Sequence, residues 1–351
     1  MRFLRAAAAC CSAIGVSAQG FGAWPARVGH LETEHDISTV GVTNANSTEA
    51  AKRYVWDFRE DVPAPGQHCT PSTMWAKNVD PTKYEIGCTE IEELLRGPKT
   101  FAGRGNVREV YIAQYKGRSV ALKLLITRSV ATLHEHWVEL VTTDAVQGQP
   151  HVVDMLGFCE TTVVTEVYSK DAKKVVRQAQ EPLSMNWVVS MSLDAAIGLR
   201  ALHEAIDAPI VHFDVKLSQL LIQENGRVKL ADYNLAYFMG ISSDGSPCHF
   251  NKKSPTRNGN GRKSPEYASG KPMTEKVDIY RMGLVYAALI TAGRGSDFNA
   301  KNGDLPVFNA SWHQGYVKIV QDMLAEAEQR PSAGEVVARL QTIQQELSHT
   351  P

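Results

Sequence analysis

Lys123, Asp214, Lys216, Gln219 and Asp232 occur in an order that suits phosphoryl transfer from a nucleoside triphosphate to a hydroxyl. That reaction needs a cation against the phosphates, hard oxygen ligands for Mg²⁺, and a carboxylate within hydrogen-bond reach of the attacking hydroxyl. Lys123 follows the apolar run Val120-Ala121-Leu122. An ammonium group in such a strand is costly unless paired, so phosphates and a carboxylate from the following helix are its expected partners. Glu139 is the expected carboxylate and Glu135 the alternative. In His212-Phe213-Asp214-Val215-Lys216, Asp214 would accept or orient the proton of the hydroxyl, and Lys216 would steady the γ-phosphate. Gln219, five residues beyond Asp214, offers an amide oxygen to a metal, and Asp232, eighteen residues beyond Asp214, is the best Mg²⁺ ligand in the chain.

The elements that must position these groups can be read from pattern. Gly103-Arg104-Gly105-Asn106-Val107-Arg108-Glu109-Val110 lies between two expected strands, where glycine lets backbone approach phosphate closely. Alone this motif is weak, because GxG arises often by chance. Val110, Ile112 and Val120 to Leu125 read as strands around the turn Lys116-Gly117-Arg118. A helix is expected from about Ala131 to Thr142, then strands at Val152 to Leu156 and Val163 to Val167. Beyond Lys170 the chain reads as mainly helical, with one apolar face at Val189, Leu193, Ile197 and Leu202. The hairpin turn Asn225-Gly226 folds Asp214 and Asp232 toward one cleft. Asp278 to Ile290 is almost uniformly apolar, the mark of a helix buried on all sides. Ser332 and Glu335 have capping-box spacing at the start of a last helix whose apolar face is Val336, Leu340, Ile343 and Leu347. The Gly-, Ser-, Asn- and Lys/Arg-rich stretch between Tyr237 and Arg262 reads as a mobile loop.

Taken together, these motifs resemble the eukaryotic protein kinase domain over residues 95–348. The resemblance implies an α+β, bilobal fold: a small antiparallel β N-lobe with one helix over 95–168, and a larger, mainly helical C-lobe over 169–348. It implies catalytic roles for Asp214, Lys216, Lys123 and Glu139, and metal ligation by Gln219 and Asp232. It implies nucleotide contacts from Gly103, Gly105, Val110, Ala121, Lys123, Thr165 at the gatekeeper position, Glu166 and Val167 in the hinge, and Leu221. ATP with Mg²⁺, or Mn²⁺ in its place, would be the cofactors. Asp232-Tyr233-Asn234 stands where the family has Asp-Phe-Gly, and Ser264-Pro265-Glu266 where it has Ala-Pro-Glu. Asp278 would prop the catalytic loop, and Arg330 would pair with Glu266.

Leu156-Gly157-Phe158-Cys159-Glu160, Thr165-Glu166, Lys216-Leu217-Ser218-Gln219 and Cys88 also look like the secretory-pathway kinases, a group that includes protein O-mannose kinase and the vertebrate lonesome kinase. The sugar kinase lacks the lysine that Lys123 supplies, so its sugar substrate does not carry over. The expected substrate is a protein or glycan hydroxyl, with Ser or Thr first and Tyr or sugar as alternatives.

Several residues depart from the family pattern. Phe213 replaces the Arg that grips an activation-loop phosphate, so no such phosphorylation is expected to be required. Gln219 replaces Asn, Asn234 replaces Gly, and Arg108 takes the place of a third glycine, where it would close over the phosphates or block them. These departures keep a second reading open, a catalytically silent kinase fold acting as a nucleotide- or protein-binding scaffold. His134 and His136 flank Glu135 and are expected to be exposed helix residues, with metal binding as the alternative.

The chain has 351 residues, 43% of them hydrophobic, and a net charge of −1, a globular profile that gives no field for nucleic acid. Arg2 and Arg5, the Ala-rich stretch Ala6 to Val16, and small residues at Val16 and Ala18 predict a signal peptide over 1–18. Residues 19–94 read as an irregular extension, and no integral membrane span is expected. Cys69, Cys88, Cys159 and Cys248 permit two disulfides, of which Cys69–Cys88 would close a local loop. The sequons at Asn46 and Asn309 would accept glycans in a secreted glycoprotein. Secretory or extracellular residence is therefore the expectation, with the cytoplasm as the alternative.

Overall fold

Alternating apolar residues on Arg108–Tyr115 (β3) and Arg118–Leu125 (β4) pair these strands antiparallel about the Lys116-Gly117 turn. With Lys99–Arg104 (β2), Met155–Cys159 (β5) and Thr162–Glu166 (β6) they form a five-stranded antiparallel sheet in the order β2-β3-β4-β6-β5. The structure, a computed structural model, describes residues 68–205, 208–251, 263–291 and 313–349. The expected signal peptide, both sequons and most of the basic loop lie outside these residues.

The extension is ordered where it is described. Cys88–Arg96 (α1) buries Ile91 and Leu94 against Tyr115, Val120, Leu122 and Val164, so it belongs to the core of the small lobe. Upstream, Cys69–Thr70 (β1) pairs with Ile241–Ser242 (β12), and Met74 and Trp75 enter the main core. The reading of an irregular stretch to residue 94 is thus corrected: α1 is short, and no longer period advertises it. Two disulfides fasten the extension, Cys69–Cys248 and Cys88–Cys159, in place of the expected Cys69–Cys88 bridge. The extension runs along opposite parts of the domain, so its two cysteines meet partners distant in sequence rather than each other. Gly157 makes one of these passages possible, because a Cβ there would lie 2.0 Å from the Ile86 carbonyl oxygen.

Ser129 caps the single N-lobe helix between sheet strands, Val130–Val146 (α2), which buries Trp137, Val138 and Val141 in the main core. The large lobe contains Ala172–Gln178 (α3), Met185–His203 (α4), Pro265–Ala268 (α5), Lys276–Ile290 (α6), Gln314–Met323 (α7) and Ala333–Ser348 (α8). The capping box at Ser332 and Glu335 forms as its spacing implied. Small strand pairs lie between these helices: Lys170–Asp171 (β7), Leu220–Ile222 (β9) and Val228–Leu230 (β10) in one sheet, Ile210–Val211 (β8) with Tyr237–Phe238 (β11) in another.

Two sequence readings shift. The strand expected at Val152 to Leu156 begins instead at Met155, while Val152 makes an isolated bridge to Leu230 across the lobes. The first part of the supposed mobile loop, Tyr237 to Asn251, is held by strand pairing, by the Trp75 indole donating to the Phe238 carbonyl at 3.0 Å, and by Cys248.

Candidate active site

The register of the small sheet positions the upper half of the site. Val110 lies opposite Lys123, and Ala121 lies opposite Thr165. Gly103 pairs with Val110, and the Gly105 N–H donates to the Arg108 carbonyl at 2.8 Å, which closes the glycine-bearing turn. Glu166 ends β6, Val167 follows it with exposed side-chain surface, and Leu221 sits on β9 opposite Asp171.

Lys123 Nζ lies 2.6 Å from Oε1 of Glu139. Glu135, one turn earlier on the same face of α2, is engaged elsewhere: the Asn234 amide donates to it at 3.4 Å. This contact brings the segment after Asp232 against the helix that carries the partner of Lys123. Burial alone would raise the Glu139 carboxyl, but the charges of Arg108 and Lys123 hold its pKa at about 2.

The lower half is built around a buried carboxylate. Asp278, at the start of α6, accepts the backbone N–H groups of His212 (2.6 Å) and Phe213 (2.9 Å) and contacts His203 Nε2 at 3.2 Å. Burial would raise its pKa, yet the hydrogen bond and charge of His203 hold it below the usual value. Phe213 is thereby kept at φ +63°, a left-handed conformation uncommon for a bulky residue. Asp232 has φ +69°, whereas Asn234 lies outside the left-handed region, so Asn in place of Gly carries no backbone cost.

Lys216 pairs with Asp214 Oδ2, and Arg281 Nη1 approaches Asp214 Oδ1 at 3.5 Å. Gln219 joins the two aspartates: its Nε2 lies 2.6 Å from Asp232 and 3.3 Å from Asp214. The nitrogen end, rather than the expected oxygen end, faces the carboxylates, as two anionic neighbours require; a half-turn of the amide presents the oxygen to a cation. Among the described residues no three His, Cys, Asp or Glu side chains converge into a cation cage. Mg²⁺ needs no such cage, since it is commonly held by one or two carboxylates together with substrate phosphates, and Asp232 and Gln219 suit that arrangement.

Phe213 packs edge-on against Phe250 and Tyr267 and under the Arg281 guanidinium, 5.3 Å from its centre. Aromatic packing thus holds Phe213 against Phe250 and Tyr267 at the position where the family has an arginine. Arg330 and Glu266 form the paired contact that the resemblance implied, with Nη1–Oε1 at 2.6 Å and Nη2–Oε2 at 3.0 Å.

Several residues escaped sequence reasoning. Arg108 does not arch over the loop; it is buried, with Nη2 2.6 Å from Oε2 of Glu139 and 2.8 Å from His136 Nδ1. His136 is buried rather than exposed, and burial followed by the Arg108 charge lowers its pKa to about 4. Nδ1 of the neutral ring accepts from Arg108, and Nε2–H donates to the Glu160 carbonyl at 2.7 Å. His134 stacks flat on Trp75. The signal for Arg281 was present, a lone cation inside a nearly uniformly apolar helix, which demands a partner.

The fold and this arrangement define a kinase-type phosphotransferase architecture. The family profile described as protein kinase domain matches residues 99–339, and the chain belongs to that family. Protein kinase domains in general use ATP and Mg²⁺. Similar proteins of Arabidopsis thaliana include PTI1-like tyrosine-protein kinase 2, 27% identical over 59% of this chain and 59% of its own length. Others are calcium/calmodulin-regulated receptor-like kinase 1 (29%; 72% of this chain, 57% of its own) and serine/threonine-protein kinase PBS1 (28%; 59% and 46%). The chain thus spans less than two thirds of the length of these relatives. Among the described residues no helix is long and apolar enough to cross a membrane.

Proposed function

We propose that the chain is an ATP- and Mg²⁺-dependent protein kinase acting on a protein or glycan hydroxyl, with Ser or Thr the favoured acceptor, in the secretory pathway or outside the cell. The observation that carries this reading is the pairing of Lys123 with Glu139 together with Asp214 and Asp232 bridged by Gln219. When bound, ATP would supply the γ-phosphoryl group, its bond to the β,γ-bridging oxygen breaking as ADP leaves, and Mg²⁺ would offset phosphate charge. Lys123, held by Glu139, would orient the phosphates, and Asp232 with the Gln219 amide oxygen, once the amide has turned, would hold the metal. Asp214 accepts the acceptor hydroxyl's proton, and Lys216 and Arg281 fix the carboxylate on both of its oxygens. Asp278 keeps the backbone beneath Asp214 in place.

Lys216, two residues beyond Asp214, supports a Ser/Thr acceptor; one relative's name specifies tyrosine and another's serine/threonine. Two disulfides support an oxidising compartment, and one joins Cys88 to Cys159, two residues that carry the likeness to secretory-pathway kinases. The test is transfer of radiolabel from ATP to Ser-, Thr-, Tyr- and glycan-bearing substrates. Wild type is expected to label a Ser/Thr substrate, and Asp214→Asn to lose labelling while retaining the ATP-induced rise in melting temperature. Nucleotide binding without transfer to any of the four acceptor types would favour the scaffold reading instead.

A further inference from the structure

We propose that Arg108 is a second cationic contact for the phosphates of the nucleotide, acting beside Lys123. The inference rests on the nucleotide-binding reading above and adds a residue to it.

The register supports the placement. Arg108 pairs with Leu125, and Val110 with Lys123, so on neighbouring antiparallel strands Arg108 and Lys123 point to the same face as diagonal neighbours. Both reach the same carboxylate, one on each oxygen of Glu139, at 2.6 Å. An ordinary Lys–Glu pair is neutral, whereas here two cations share one anion. His136 supplies no charge to the cluster, since its neutral ring accepts the Arg108 N–H. A buried cluster with one positive charge in excess is unfavourable unless an anion completes it.

The guanidinium also has a donor to spare. Nη2 is hydrogen-bonded to His136 and ion-paired with Glu139 Oε2, whereas Nη1, like that carboxylate oxygen, is buried without a hydrogen-bond partner. Leaving such a donor unsatisfied is costly, and a planar guanidinium fixed at one nitrogen presents the other in a set direction suited to phosphate oxygen. Arg108 opens β3 directly after the glycine-bearing turn, beside the lysine that the proposed function assigns to phosphate. A polyphosphate is the ligand class that meets both demands, excess charge and a spare donor.

The alternative is that Arg108 only pins α2 through Glu139. The two are separated by measuring the affinities of the full chain for adenosine, AMP, ADP and ATP, with Mg²⁺, by calorimetry. In Arg108→Met we expect ATP and ADP to bind about ten- to a hundredfold more weakly and adenosine to stay within about twofold of wild type, while Arg108→Lys, which keeps the charge but not the second fixed nitrogen, recovers only part of the lost ATP affinity. An equal loss for adenosine and ATP, or ATP binding to Arg108→Met as tightly as to wild type, overturns the proposal. Arg108→Lys, which keeps the charge, reports on phosphate contact even if Arg108→Met folds poorly: ATP should bind more weakly than to wild type while adenosine stays within about twofold, and equal losses for the two ligands count against the proposal. Wild type that binds none of the four ligands overturns the nucleotide reading itself, an outcome distinct from a normal wild type with an unaffected variant.

Discussion

Replacing Cys69 and Cys248 with alanine should lower both stability and catalysis. The bond joins residues separated by 179 positions, and the chain-entropy relation for a loop of that length gives about 5 kcal/mol, against about 2–4 kcal/mol for typical cross-links. The remaining local attachment is small: β1 pairs with β12 through only two residues, and Trp75 provides the main apolar anchor. We expect a loss of about 2–5 kcal/mol, which corresponds to a fall of roughly 5–15 °C in melting temperature for a domain of this size. Circular dichroism melts of wild type and the double variant, with and without reductant, measure it, and reductant should bring wild type toward the variant. The same cross-link tethers the segment between Asp232 and Glu266, so phosphotransfer should fall more than ATP affinity. A variant melting within about 2 °C of wild type would refute the loop-closure argument. Lower melting with full phosphotransfer would refute the ordering of that segment by the bond.

Acid should destabilise the fold through His136: its pKa is about 4 folded and 6.5 free, so the unfolded chain binds more protons between these values and stability falls as pH drops through that window. The loss reaches about 3 kcal/mol by pH 4, and His136→Gln, which preserves one acceptor and one donor, should flatten urea-measured stability over that range. Arg330→Met leaves the Glu266 carboxylate buried and unpaired, and should cost about 3–5 kcal/mol in urea unfolding, with part regained when Glu266→Leu is added. Phosphatase treatment, or alanine at Ser242, Ser243, Ser246, Ser254 and Thr256, should leave activity intact, because Phe213 anchors the segment by packing on Phe250 and Tyr267; loss of labelling in either assay would reverse that inference.

The order Lys123, Asp214, Gln219, Asp232 and the periods of the flanking elements were legible because local spacing, alternation and capping are written in neighbouring residues. The choice of Glu139 over Glu135 was open by helix periodicity alone, since both lie on one face; the fold places Lys123 2.6 Å from Glu139, while Glu135 meets Asn234. Arg108 stood in plain view at a glycine position, but its partners His136 and Glu139 could not be read there, because the expected helix meets the start of β3 only when the small lobe packs.

By itself the chain determined which side chains can do the chemistry and which short segments become strands and helices, since those depend on residue type and on contacts a few positions away. Only the tertiary structure decided the disulfide partners, the hydrogen bond of the Trp75 indole to the Phe238 carbonyl, and the pairing of Arg281 with Asp214. Each of these joins residues scores of positions apart, and such pairings follow from how complete elements pack, which local pattern does not encode.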